Sequence, residues 1–301
     1  MKKVWKWLAI TVLILCVIGF AIYFKLYSDL KSTAEEMYTP LNDELPAKRT
    51  QVVDITKKEP FSALILGVDE RDGDVGRSDT IIVLTVNPTL NSTKLISIPR
   101  DTYTKIIGKD FQDKINHAYA YGGIEMAMKT VENLLDIPID YVAQVNMESF
   151  TDIVDIVGGI TVNNTLEFNF EDEHFPIGEL SLDGEKALKY VRMRYEDPEG
   201  DFGRQNRQKQ VIQGVLKKSI SFNTVLNYKT IFKTLEENIK INVMFDDLLN
   251  IRKHYGNSFN TIEQLYINNG VGTKTEGIYY YLPDEKELEE IQETLKNHLE
   301  I

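Results

Sequence analysis

Nine arginines serve a chain of 301 residues, and seven of them fall in three short stretches. GVDERDGDVGRSDT carries Arg71 and Arg77, IPRDTY carries Arg100, and VRMRYEDPEGDFGRQNRQ carries Arg192, Arg194, Arg204 and Arg207. Asp69, Asp79, Asp101 and Asp201 are interleaved with them. A guanidinium is a planar fork of donors that matches phosphate oxygens two at a time, which lysine cannot do. Carboxylate and phosphate oxygens together are the donors that Mg²⁺ takes. Arginine mixed with aspartate therefore fits a polyphosphate held with a hard divalent cation. Surface ion pairing is the ordinary alternative for any one arginine. It is a poor account of seven out of nine, each beside a carboxylate or glutamine. Within GRQNRQ, Arg204 and Gln208 stand at i, i+4 on one helical face. Arg192 and Arg194 share a face only in extended chain, which Pro198 and the neighbouring glycines permit. Other chemistries find no support: no GxxxxGK[ST] phosphate loop occurs. His117, His174, His254 and His298 are isolated, and the lone Cys16 sits in an apolar run, so a zinc site has no ligand set.

The elements around these stretches are legible in the pattern. FSALILGV, TIIVLTVN and TKLISIP are short β-branched runs bounded by turn residues and predict buried strands, as do YVAQVN and GGITVNN. The first arginine stretch follows one strand and Arg100 ends another, and strand ends are where open α/β sheets bind ligands. Helical periodicity appears at the end of INHAYAYGGIEMAMKTVENLLD, in MESFTDIVDIV, LDGEKALKYV and RQNRQKQVIQGVLKKSI, and again in NTVLNYKTIFKTLEENI, FDDLLNIRKHYG and DEKELEEIQETLKNHLE. GIYYYL is the one strand expected in the C-terminal third. Alternating strands and helices predict a layered α-β-α domain around a central mixed sheet.

Net charge is −12 and 43% of residues are hydrophobic. That suffices for a full core and argues against a nucleic-acid partner. Lys2, Lys3 and Lys6 precede the uncharged run Trp7 to Phe24, which is long enough to cross a bilayer core of ~30 Å. Flanking tryptophans and tyrosines suit the interfacial belts, and no small-residue cleavage site follows. The expectation is a cytoplasmic tail at 1–6 and a single-pass signal anchor at 7–27. An extracytoplasmic stalk at 28–58 and one domain from 59 to 301 follow, the latter with signature motifs over 61–219 and a helical part over 220–301.

LILGVDERDGDVGRSDTIIVLTVNP, LISIPRDTY, KINHAYAYGG, VENLLDIPIDYV, VDIVGGITV and YVRMRYEDPEGDFGRQNRQKQVI resemble the successive signature blocks of the LytR–CpsA–Psr family. They occur in the same order and with similar gaps from about Phe61 to Ser219. VNMESF and the GIYYY tail resemble that family's wall teichoic acid transferases. The resemblance implies a phosphotransferase at the outer face of the cell membrane. It would move an anionic glycopolymer from an undecaprenyl-pyrophosphate carrier to the N-acetylmuramic acid C6 hydroxyl of peptidoglycan. Asp69 and Asp79 would hold Mg²⁺ or another divalent cation. Arg77, Arg100, Arg192, Arg194 and Arg204 would bind the pyrophosphate with Gln208 assisting. Arg77 and Arg100 would serve catalysis directly, and Asp101 is the carboxylate chosen as proton acceptor. Arg71, Asp201 and Arg207 match the motifs without an assigned role.

An isoprenoid tail demands an apolar slot, and Ile81, Val83, Ile96 and Ile98 are candidates to line it or simply to pack the core. Gly122, Gly123, Gly158 and Gly159 read as turn or cap positions, His117 as structural, and the acidic run EFNFEDEHF as a solvated loop. Two readings compete with a teichoic acid donor. One is the same chemistry on a capsular or glycoprotein glycan, and the other is a non-enzymatic, membrane-tethered wall regulator.

Overall fold

The structure, a computed structural model, describes residues 20, 24, 25, 27–41, 46, 48–68, 76–194, 196–221 and 239–301. Most of the expected anchor lies outside them, as do Asp69, Arg71 and nearly all of the expected helix NTVLNYKTIFKTLEENI. Among the described residues no helix is long and apolar enough to cross a membrane. Along the chain come β1 (Phe61–Val68), β2 (Ser78–Asn87), β3 (Ser92–Ser97), β4 (Tyr103–Lys105), β5 (Gln112–Lys114) and α1 (His117–Leu135). Then follow β6 (Tyr141–Asn146), α2 (Met147–Ile156), β7 (Ile160–Asn164), β8 (Phe168–Phe170), β9 (Glu173–Phe175) and β10 (Gly178–Leu182). The remainder is α3 (Gly184–Arg192), α4 (Asp201–Ser221), β11 (Ile239–Ile241), α5 (Phe245–Tyr255), β12 (Ile262–Leu265), β13 (Val271–Thr275), β14 (Ile278–Leu282) and α6 (Glu285–Leu299).

The main sheet runs β11-β6-β1-β2-β3-β12. β1 with β6 and β3 with β12 are parallel and the other pairs antiparallel, so the sheet is mixed as expected. β1 and β2 are apolar on both faces because both faces are covered. Leu64, Leu66, Ile81, Val83, Ile96 and Ile98 pack on one side with residues of α1 and α6. Ile82, Leu84 and Leu95 pack on the other with Tyr255 of α5 and, at the margin, Ile212 and Leu216 of α4. Three layers result.

Polar side chains pin the layers. His298 of α6 is buried, with Nδ1 2.8 Å from the Thr85 hydroxyl and Nε2 2.9 Å from that of Ser92. Burial, with Lys94 nearby, pushes its pKa down to about 4. Arg49 reaches both oxygens of Asp140 at 2.8 Å, tying the segment before β1 to the start of β6.

Two expectations are corrected. The acidic run is a hairpin, β8–β9, rather than a solvated loop. Its alternation turns Phe168 and Phe175 into a buried cluster with Tyr190, while the charged residues face out. The described residues of the C-terminal part hold four strands where one was expected. Of the two roles open to Ile81, Val83, Ile96 and Ile98, packing the core against α1 and α6 is the one they have. The glycine reading fares better: Gly123, which kinks α1, and Gly158 and Gly159 before β7 all have positive φ.

Candidate active site

Asp79 lies at the start of β2, where the ladder is irregular. Gly67 pairs with Thr80 and Val68 with Ser78, so Asp79 faces no residue of β1. Such a bulge is how a strand end re-aims a side chain. Arg100 follows β3, and its Nη1 lies 3.0 Å from Asp79 Oδ2, with Nε 3.8 Å from Asp101 Oδ2. Lys114 then contacts Asp101 Oδ1 at 2.7 Å. Backbone bonds hold this chain of charges: Asn116 N–H donates to the Arg100 carbonyl at 3.3 Å, and Tyr281 N–H to that of Asp101 at 2.9 Å. Arg77, immediately before β2, is exposed. Both Asp101 oxygens thus face cations, Oδ1 toward Lys114 and Oδ2 toward Arg100.

The third arginine stretch divides by burial. Arg192 ends α3 and is exposed; Met193 leaves the helix at φ −59, ψ 132, and Arg194 follows in half-buried coil. Arg207 of α4 is buried and turned inward. Its Nε donates to the Tyr190 carbonyl at 2.9 Å, its Nη2 to that of Met193, and its Nη1 to Asp197 at 2.5 Å. The guanidinium lies over the Phe168 and Tyr190 rings, with centroids 5.3 and 5.9 Å away. Arg207 thus fixes the segment that presents Arg192 and Arg194. The first turn of α4 approaches the same carboxylate so closely that a Cβ on Gly203 would sit 1.9 Å from Asp197 Oδ2. Arg204 and Gln208, half-buried, are one turn apart on α4, whereas the side chain of Asp201 lies outside what is described.

The first and third stretches border one cavity. It encloses about 190 Å³ between the α4 face of the sheet and α2. Ile65, Phe150, Val154, Val211 and Val215 give it apolar walls. Gln208 lines it too, together with Thr80 and Val191, the neighbours of Asp79 and Arg192. Gly67 lies on the wall where β1 and β2 run closest, and a Cβ there would come within 2.8 Å of that of Thr80. Sequence reasoning named Gln208 but missed Lys114, the anchoring role of Arg207, and every apolar wall residue. The wall residues carry no signal apart from apolarity, which the core shares.

Carboxylate oxygens are the right donors for Mg²⁺, and Asp79 presents its Oδ2 to Arg100 at 3.0 Å. Among the described residues no three His, Cys, Asp or Glu come together to hold a metal. A cation at Asp79 would complete its shell with substrate oxygens and water, as Mg²⁺ commonly does.

The LytR_cpsA_psr family profile matches residues 23–297. The chain is 49% identical over 300 residues to the polyisoprenyl-teichoic acid–peptidoglycan teichoic acid transferase TagU of Bacillus subtilis, covering 99% of this chain and 97% of that one. The crystal structure of B. subtilis TagU superposes with a TM-score of 0.66 at 50% identity, covering 81% of this chain and 98% of that one. The LytR-CPS2A-psr family protein YwtF (TagT), solved with bound octaprenyl pyrophosphate lipid, superposes with a TM-score of 0.70 at 30% identity, covering 87% of this chain and 99% of that one.

Proposed function

The chain belongs to the LytR_cpsA_psr family, and we propose that it is a transferase joining an anionic glycopolymer, wall teichoic acid, from a polyisoprenyl pyrophosphate to peptidoglycan. One observation carries this reading: the first and third arginine-bearing stretches border an apolar cavity through Thr80, Val191 and Gln208, and Arg100 of the second reaches Asp79 beside Thr80. An isoprenoid pyrophosphate has that same division, a greasy tail joined to a compact diphosphate anion.

In the proposed reaction the tail enters between α4 and the sheet. Arg77, Arg100, Arg192, Arg194 and Arg204, with Gln208, hold the pyrophosphate. The acceptor hydroxyl oxygen attacks the phosphorus that bears the polymer, the bond from that phosphorus to the bridging oxygen breaks, and the lipid monophosphate leaves. The hydroxyl proton passes to solvent or a neighbouring base. Such a transfer is catalysed by positioning and by cations at the oxygens where charge grows. Arg100 suits that task because Asp79 holds its Nη1 beforehand at 3.0 Å. Asp79 and Asp69 would hold Mg²⁺, which when bound neutralises pyrophosphate charge. Anchoring by residues 7–27, with the domain outside the membrane, places the clamp beside its lipid donor.

The test is reconstitution. Full-length protein in detergent is incubated with lipid-linked teichoic acid precursor, peptidoglycan oligomers and Mg²⁺, and ligated glycan is sought by mass spectrometry. Ligated product that disappears with Arg100→Ala is expected. No product from the wild type, or equal product from the variant, overturns the reading.

A further inference from the structure

Beyond the Asp79–Arg100–Asp101 chain, on the α1 side of the sheet and not the α4 side that bears the cavity, lies a second surface. Tyr103 of β4 and Tyr280 of β14 meet edge to face at 5.1 Å and 71°. Phe111, in the turn before β5, meets Tyr121 of α1 at 5.5 Å and 89°. Aromatic side chains usually spend their area in a core, yet Tyr103, Phe111 and Tyr121 are 36, 45 and 42% exposed. Polar groups are set among them. Asp113 Oδ2 accepts from the Tyr121 hydroxyl at 2.7 Å and pairs with His117 Nδ1 at 2.8 Å. Lys114, the partner of Asp101, holds its ammonium 5.7 Å from the Tyr280 ring centroid. The bond to Asp113 raises the Tyr121 pKa while Arg77 opposes the rise, so this surface lies within electrostatic reach of the clamp.

Rings interleaved with a carboxylate, an imidazole and an ammonium match a sugar better than a protein. A pyranose lays its C–H face on the negative face of an aromatic ring and turns its hydroxyls to the polar rim. The place also follows from the chemistry. Attacking and leaving oxygens lie roughly in line across the transferred phosphorus. With the leaving lipid phosphate directed to the cavity, the attacking hydroxyl arrives from the opposite side. The cavity opens on the α4 face of the sheet, and these rings gather over the α1 side of the clamp.

We propose that Tyr103, Phe111, Tyr121 and Tyr280 form a platform for the acceptor glycan strand of peptidoglycan, with Asp113 and His117 bonding its hydroxyl or acetamido groups. This rests on the transfer reading above, because that reading sets which side the acceptor occupies.

Full-length protein in detergent is titrated by calorimetry with three probes separately. These are peptide-free peptidoglycan tetrasaccharide, octaprenyl pyrophosphate, and a lipid-free fragment of the donor glycopolymer. Tyr103→Ala and Tyr280→Ala should each weaken tetrasaccharide binding by about five- to tenfold, the scale of one lost aromatic stack. Octaprenyl pyrophosphate affinity should stay within about twofold, and Tyr103→Phe, which keeps the ring, should retain wild-type tetrasaccharide affinity. Phe111→Ala, at the most exposed of the rings, repeats the test where a tyrosine variant melts early. The platform is wrong if the wild type does not bind the tetrasaccharide, or if no alanine variant weakens it. It is equally wrong if the rings govern the donor fragment instead. Failure of octaprenyl pyrophosphate to bind wild type strikes the clamp reading, and the tetrasaccharide titration still decides the platform by itself.

Discussion

Two arginine–aspartate pairs, Arg207 with Asp197 and Arg100 with Asp79, come from stretches that look alike in sequence and sit in opposite surroundings. The first pair has side chains only 5 and 4% exposed, with two backbone carbonyls and two aromatic rings around the guanidinium. Every direction is filled by protein. The second is 21 and 30% exposed at strand ends, so part of its surface stays open to solvent. Residue type states what an arginine is able to bind; what already surrounds it decides whether a ligand has any share.

The comparison breaks most visibly if Arg207 is removed. Arg207→Ala leaves Asp197 buried without its partner and should cost roughly 3–5 kcal/mol in denaturant unfolding. Arg207→Lys should recover little, because an ammonium cannot span two carbonyls and a carboxylate from one plane. A loss below about 1 kcal/mol would place Arg207 with the surface pairs.

His298 extends the filled class to a group that titrates. Its ring is neutral in the fold down to about pH 4, whereas an unfolded histidine takes a proton near pH 6.5. Between those values the unfolded chain binds the extra proton, so stability is full above about pH 6.5 and falls as the pH drops toward 4. The whole window is worth up to about 3 kcal/mol. Urea unfolding at pH 7 and pH 5 should show the loss in wild type and much less of it in His298→Gln. Equal slopes in both proteins would refute a buried neutral ring.

Arg100→Lys is the matched opposite. Losing one charge-assisted bond of about 1.5–3 kcal/mol should lower turnover ten- to over a hundredfold, with the melting temperature nearly unchanged. A stability loss with normal turnover would move Arg100 into the class of Arg207. Arg252 is exposed in the last turn of α5. Arg252→Lys should change both measurements by less than about 0.5 kcal/mol.

The sheet and most of its helices were legible because β1, β2, β3 and β6 are apolar runs with turn residues at both ends, and β1 has the predicted span. The strand-end places of Arg100 and Asp79 were legible as well, and the two touch. The cavity was not legible. In a strand covered on both faces, Ile65 and Ile81 look alike in sequence, and only the packing assigns one to the cavity and the other to the core. Arg207 was equally opaque, since on a helix with polar residues all around, nothing local marks which arginine turns inward. The β8–β9 hairpin hid because Phe168 and Phe175 are separated by Glu171, Asp172 and Glu173, whose charge outweighs the alternation in any short window. β11 and β12, at three and four residues, are too short to register a period.

The irregular pairing at Asp79 has a consequence for how this protein tolerates insertions and deletions. Most surface connections accept a lost or gained residue at small cost. Here the count itself is informative, because Asp79 stands opposite no residue of β1 only while one extra residue separates Ser78 from Thr80. Deleting a single residue there would leave Arg100, Arg204 and Gln208 in place and hand the freed position to the ladder, re-aiming whatever side chain it carried. Among homologous chains, length across this short interval should vary less than residue identity does, and redesign of the site can swap side chains more safely than it can change the spacing.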